Sequence, residues 1–277
     1  MIQPVQSNAV LLADIHASNV KDGGFRLWWL GQSGFLLQWE GIHVLLDPYL
    51  SDSLTKKYAA TDKPHVRMTE LVIDPAELHF CDIVTSSHNH TDHLDEETLR
   101  PLFARKSPAL PHFVVPEANR TFAAERAGVP AAMPVGLSED ESVELYGIRF
   151  TAILSAHEEV SPEFLGYVLQ FGPWSIYHSG DTIPYDGLST KLRPFKLDVA
   201  LLPINGRAPE RRVSGNLWGR EAAWLAYAAG AKLVVPCHYD LFTFNTATPD
   251  EFIAACEVLG QAFHVMQCGA KMQQSPL

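Results

Sequence analysis

Residues 86–95 read SSHNHTDHLD, a stretch that sets four potential metal ligands, His88, His90, Asp92 and His93, within six positions. An extended or tightly looped His-x-His presents both imidazoles to one side, enough for two corners of a tetrahedral site. The Asp and His that follow can turn toward a second ion. Imidazole and carboxylate suit zinc, manganese or iron better than calcium or magnesium. A polar loop with histidines by coincidence is the plain competing reading. The density of ligands and the apolar run DIVT just before them favour a metal.

One segment cannot close two metal sites, so the remaining ligands must come from elsewhere. Several apolar β-like runs end in reactive residues: HVLLDP in Asp47, TAILSAH in His157, SIYHSGD in Asp181, VALLPIN in Asn205 and KLVVPCH in His238. Ligands collect outside the carboxyl ends of strands in α/β sheets, because loops can converge there on a rigid scaffold. The chain is therefore expected to complete one site with His88, His90 and His157, leaving a position for water. A second would use Asp92, His93 and His238, and Asp181 would offer one oxygen to each ion. Asp47 and His178 are expected to orient ligands or simply to fill a turn and the core.

Outward from this centre, strands and helices alternate. FRLWWLGQSGFLLQWEGIHVLLDP predicts strands separated by turns at Gly31–Gly34 and Glu40-Gly41. Further hairpins are expected at Gly147 and Gly172-Pro173. EANRTFAAERA predicts a helix stopped by Gly128, and GREAAWLAYAAG a helical crossover between LDVALLPIN and KLVVPCH. Thr248, Pro249 and Glu251 resemble a capping box opening a last helix that stops at Gly260.

The chain has 277 residues, 47% of them hydrophobic, enough for a sizeable core. Its net charge, 21 − 32 = −11, repels polyanions, so no nucleic-acid partner is expected. The N-terminal segment lacks a basic region before an unbroken apolar run, which predicts no secretory signal. No stretch is long and apolar enough to span a bilayer, so no membrane partner is expected. Four scattered cysteines predict reduced thiols and a cytoplasmic protein. The expected partner is a small-molecule substrate; a homo-oligomer is compatible with the sequence, which does not set the subunit number.

HNHTDH resembles the H-x-H-x-D-H signature of the metallo-β-lactamase superfamily, and SAHE, HSGDT and PCHYD fall where that family supplies further ligands. Together with WWLGQSGFLL and DVALLPINGR, these motifs are similar to the branch that contains the L-ascorbate-6-phosphate lactonases. The likeness runs from about Phe25 to Met272. It implies an α/β (α+β) fold, a four-layer αββα sandwich in one domain, 1–277, with pseudo-symmetric halves of roughly 1–150 and 151–277. It also implies a hydrolase carrying two divalent transition-metal ions, zinc or manganese. The lactonases of that branch differ in having aspartate at the position of His157, an insertion after it and a longer tail.

Two cations sharing a hydroxide would lower its pKa toward neutrality, with Asp92 and Asp181 as the catalytic carboxylates. Arg207, in the basic cluster NGRAPERR, offers a fork for an anionic substrate; Asn205 and Tyr239 would add hydrogen bonds. The expected substrate is a small anionic lactone or ester, a small phosphodiester being the alternative. Residues 51–70, carrying Lys56, Lys57 and Arg67, would be a lid or an exposed connection. Glutamate at the position of His90 would suit a flavodiiron protein, and a pure binding module would be expected to lose ligands.

Overall fold

The computed structural model describes residues 1–104, 110–157 and 159–276. Two mixed sheets carry the chain. The first contains β1 (Phe25–Gly31), β2 (Gly34–Trp39), β3 (Ile42–Leu46), β4 (Ile83–Thr85), β5 (His112–Pro116) and β6 (Val135–Leu137). The second contains β7 (Ser142–Leu145), β8 (Ile148–Ala156), β9 (Val160–Phe171), β10 (Trp174–His178), β11 (Val199–Pro203) and β12 (Leu233–Cys237). A last strand, β13 (Lys271–Gln274), returns to pair with β1 of the first sheet. The helices are α1 (Asn8–Ala17), α2 (Ser53–Tyr58), α3 (Glu96–Phe103), α4 (Arg120–Ala127), α5 (Leu188–Leu192), α6 (Gly219–Ala229) and α7 (Asp250–Leu259).

Strand pairing follows the turn chemistry. Tyr146-Gly147 and Glu40-Gly41 both have positive φ, the conformation of tight hairpin turns whose twist matches the strands. Trp39 and Phe171 pack at 5.4 Å between centroids, while Phe25 meets Phe171 edge-on at 6.0 Å. These contacts join the inner faces of the two sheets in one core that draws buried residues from both. Each large apolar side chain fully withdrawn from water contributes about 1.5–3 kcal/mol.

Helices α3 and α4 pack together beside β5, and α6 packs on β11, β12, α5 and α7, giving the αββα layering. As expected, α6 is the crossover between two parallel strands, and Gly128, Gly230 and Gly260 end their helices in the left-handed conformation. The last helix starts later than the sequence suggests. Pro249 lies before its first turn and no capping box forms, because Glu251 is drawn to Arg220 and Thr248 bonds the Asp250 carboxylate at 2.9 Å. The sheets part between Leu137 and Ser142, so β8 runs across residue 150 and β13 belongs with the N-terminal sheet. Among the described residues, no helix is long and apolar enough to cross a membrane.

The topology decides where chemistry can gather. β3 and β4 are parallel, as are β10, β11 and β12. β8 is antiparallel to β9, and β9 to β10, so β8 points the same way as β10. Their carboxyl ends deliver Asp47, the SSHNHTDH loop, His157, Asp181 and His238 to the site.

Candidate metal centre

Two ligand groups assemble there. His88, His90 and His157 bring ligand atoms within 4.8 Å of one another, as do Asp92, His93, Asp181 and His238. Asp181 lies between the groups: its Oδ1 is 3.2 Å from His93 Nε2, and its Oδ2 is 3.5 Å from His238 Nε2 and 3.7 Å from His157 Nε2. It is held there by backbone close to its limit. Gly180 has φ +57, and a Cβ on it would come within 2.4 Å of the Ser87 side chain, so only glycine lets the strand end press Asp181 against the histidine loop.

The histidines are aimed from behind. His93 Nδ1 lies 2.8 Å from Asp47 Oδ2, and His88 Nδ1 lies 3.0 Å from Ser87 Oγ. Asp47, fully buried, also accepts from the Ser87 amide at 3.0 Å, from Thr85 Oγ1 at 3.1 Å and from the Ser87 hydroxyl. Such outer partners fix ring orientation and leave the far nitrogen free for a metal. His178 serves otherwise: its Nε2 turns to the Ser33 carbonyl at 2.9 Å within the core.

Charge separates the two groups. Burial and the neighbouring imidazoles push His88 well below its ordinary pKa, and burial lowers His157 despite Asp181, so both keep free lone pairs. In the other group, burial would raise Asp92 and Asp181, but the imidazoles of His93 and His238 outweigh it and hold both carboxyls well below the usual range. Burial disfavours charge on His93 and His238 as well. The two aspartates prevail, and His238 is pushed up to about 9.

A divalent cation fits this donor set. His88 Nε2, His93 Nε2 and Asp181 Oδ1 are buried without hydrogen-bond partners, although the last two lie 3.2 Å apart. Buried polar atoms in that condition are costly. Cations held by the two groups would satisfy all three atoms, and the imidazole and carboxylate donors suit transition metals.

The ligands open into a cleft of about 410 Å³ whose walls include Leu54, Tyr58, His65, Phe242 and Asn245. A larger hollow of about 590 Å³ lies by Arg193, Tyr227 and Lys232, but none of the ligands lines it. Residues 51–70 form part of the cleft wall, through α2 and the loop after it. Lys57 faces the cleft, whereas Lys56 pairs with Glu97 at 2.7 Å and Arg67 with Asp52 at 2.6 Å. Across the rim, Arg212 pairs with Asp62 and Lys63 donates to the Arg212 carbonyl.

The three residues expected to bind substrate are placed differently, and none lines the cleft. Arg207 makes a two-pronged ion pair with Glu221, at 2.6 and 2.8 Å, which uses its fork. Tyr239 is 2% exposed, packs 4.5 Å from Trp29 and donates its hydroxyl to the Met266 carbonyl. Asn205, fully buried, bonds Asn216 at 3.0 Å and Asn245 at 3.1 Å, so it reaches the cleft only through Asn245.

One residue at the centre was legible only as part of a turn. Gln32, at φ +50 in the β1–β2 turn, donates from Nε2 to Asp92 Oδ2 at 2.8 Å and lies 3.0 Å from His238 Nε2. Asp47 and His238 also have positive φ, at 39° and 63°. Non-glycine residues held there are uncommon and cluster at functional sites. A polar residue in a tight β-turn between two buried strands was the available signal. Gln32→Met keeps the bulk and removes the donor; it should weaken zinc binding about tenfold in chelator competition, with the melting temperature shifted by only a few degrees. Unaltered affinity would dismiss a role for Gln32 at the metal centre.

Comparison with known proteins is consistent with this arrangement. Residues 43–239 match the family described as "Beta-lactamase superfamily domain". A metal-dependent hydrolase of Caldivirga maquilingensis is 30% identical over 232 residues, covering 82% of this chain and 87% of that protein. One from Lawsonia intracellularis is 26% identical over 230 residues, covering 81% and 87%. In fold, the chain is similar to an isothiocyanate hydrolase from Delia radicum gut bacteria, with TM-score 0.72, 18% identity and coverage of 90% and 99%. With well over half its length inside the domain match, the chain belongs to the metallo-β-lactamase superfamily.

Proposed function

We propose that this metal-dependent hydrolase works with two divalent transition-metal ions, zinc or manganese, and cleaves a small, anionic lactone or carboxylic ester. The observation that carries the reading is the position of Asp181, whose two oxygens face ligands of both groups. His88, His90 and His157 would hold one ion, and Asp92, His93 and His238 the other, with Asp181 shared. Bound there, the ions would supply Lewis acidity, making a water nucleophilic near neutral pH and stabilising an oxyanion. The protein's own groups do the rest. Asp92, partly open to the cleft, orients the attacking water, and Gln32 steadies its Oδ2. Leu54, Tyr58 and Phe242 give one side of the cleft an apolar surface for the substrate. The likeness of the motifs to ascorbate-phosphate lactonases supports sugar lactones as test substrates.

The test pairs metal content with turnover. Protein loaded with excess zinc or manganese and freed of loose ions should retain about two ions per chain. It should also turn over members of a panel of sugar lactones and carboxylic esters. One ion per chain at saturation would overturn the two-ion reading. Activity confined to small phosphodiesters would replace the ester reading with its alternative.

A further inference from the structure

The cations of the cleft are not equivalent. Arg126 is 3.8 Å from the Glu96 carboxylate and stacks over Phe122, and Arg212 is paired with Asp62. Lys63 is occupied by the Arg212 carbonyl. Lys57, at the last turn of α2, is the exception. Among the described residues its Nζ has no carboxylate within ion-pair distance, and its one hydrogen bond is a long one, 3.3 Å, to the Thr91 hydroxyl. The ammonium also lies 5.3 Å from the centre of the Tyr58 ring.

The location of that contact is as informative as its weakness. Thr91 sits between His90 and Asp92, two residues from different ligand groups. An uncommitted positive charge is thus docked on the metal-binding loop itself, in a protein whose net charge is −11. Beside it the wall is planar and uncharged. Tyr58 and His65 stack at 4.6 Å and 28°, and Phe242 meets His65 edge-on at 5.3 Å. Burial lowers the His65 pKa, so this ring adds no charge near neutral pH.

We propose that Lys57 and the Thr91 hydroxyl form an oxyanion subsite that receives a carboxylate or phosphate of the substrate, with the substrate's apolar or planar middle lying on Leu54, Tyr58 and Phe242. This deepens the ester and lactone reading and rests on it. It places the recognised group in the same cleft as the scissile bond, because the subsite shares a loop with the ligands. A lysine serves such a group as a point charge on a flexible stem, so carboxylate and phosphate share the same chemistry here.

The experiment uses metal-loaded enzyme and two aryl esters of the same length, one ending in a free carboxylate and the other in its methyl ester. The ratio of their kcat/KM values, anionic over neutral, should fall about 10- to 50-fold in Lys57→Met, the worth of one charge-assisted hydrogen bond. Lys57→Arg should keep most of it. In parallel, calorimetry reads the binding of glutarate and of inorganic phosphate to wild type and to Lys57→Met. Both should weaken in the variant if the subsite takes either oxyanion; weakening of one alone identifies its source. An unchanged ester ratio together with unchanged binding of both anions overturns the subsite. If the wild type cleaves neither ester, the ester reading fails on its own, and the anion-binding comparison alone decides the subsite.

Discussion

Asp181→Ala is expected to reduce turnover by about a thousandfold, close to 4 kcal/mol of transition-state stabilisation, and to leave no more than one tightly held metal ion. The expectation follows from position. Asp181 faces His157 of one group and His93 and His238 of the other, and a methyl group reaches neither. The charge of this carboxylate is also a main cause that raises the pKa of His93 and His238 against their burial. Metal analysis after dialysis, with kinetics on the best ester of the panel, provides the measurement. Asp181→Asn separates charge from ligation: it retains an oxygen donor and should keep more metal than the alanine variant while remaining slow. Wild-type metal content and rate in Asp181→Ala would remove Asp181 from the centre of the mechanism.

Asp47→Ala should be the most destabilising change behind the ligands, by about 3 kcal/mol. The carboxylate is wholly buried and receives the Ser87 amide, the Thr85 and Ser87 hydroxyls and the His93 imidazole. Alanine would strand these groups out of reach of water, and each unsatisfied donor costs about 1–3 kcal/mol less whatever relaxation recovers. Asp47→Asn preserves volume but carries no charge to hold the His93 ring. Zinc affinity in that variant should fall about 10- to 100-fold. Denaturant unfolding measures the first effect, and chelator competition the second. An alanine variant as stable as wild type would show that the hub is dispensable.

The contrast between ligands and substrate residues marks what a sequence can disclose. His88, His90, Asp92 and His93 were legible because their spacing is itself the chemistry: short-range geometry alone puts them on one loop. His157, Asp181 and His238 followed because apolar runs announce strand ends, and strands running the same way in one sheet bring those ends to one edge. No such local rule governs a long polar side chain. Arg207 stands in a basic cluster that suits a substrate fork, but its orientation is set by Glu221, a partner fourteen positions away in the first turn of α6. Tyr239 likewise follows PCH in sequence yet turns into the core toward Met266. Gln32 is the converse case. A polar residue in a tight turn marks Gln32 as unusual but does not name Asp92 as its partner, because that contact joins residues sixty positions apart. Short α2 has no sequence signal for a similar reason, since six residues carry little periodicity and the helix depends on what it packs against.

The rim contacts between Lys63, Arg212 and Asp62 differ in kind from the ligand bed beneath them. They join segments 150 positions apart in sequence through exposed side chains, the kind of pairing that water and salt weaken and that many sequences can replace. The floor beneath them is the opposite: buried, interlocked and backbone-constrained, so that few exchanges are survivable. Variation in the loops at the rim could therefore admit new substrates while the hydrolytic apparatus stays unaltered, making the two loops the natural ground for diversification.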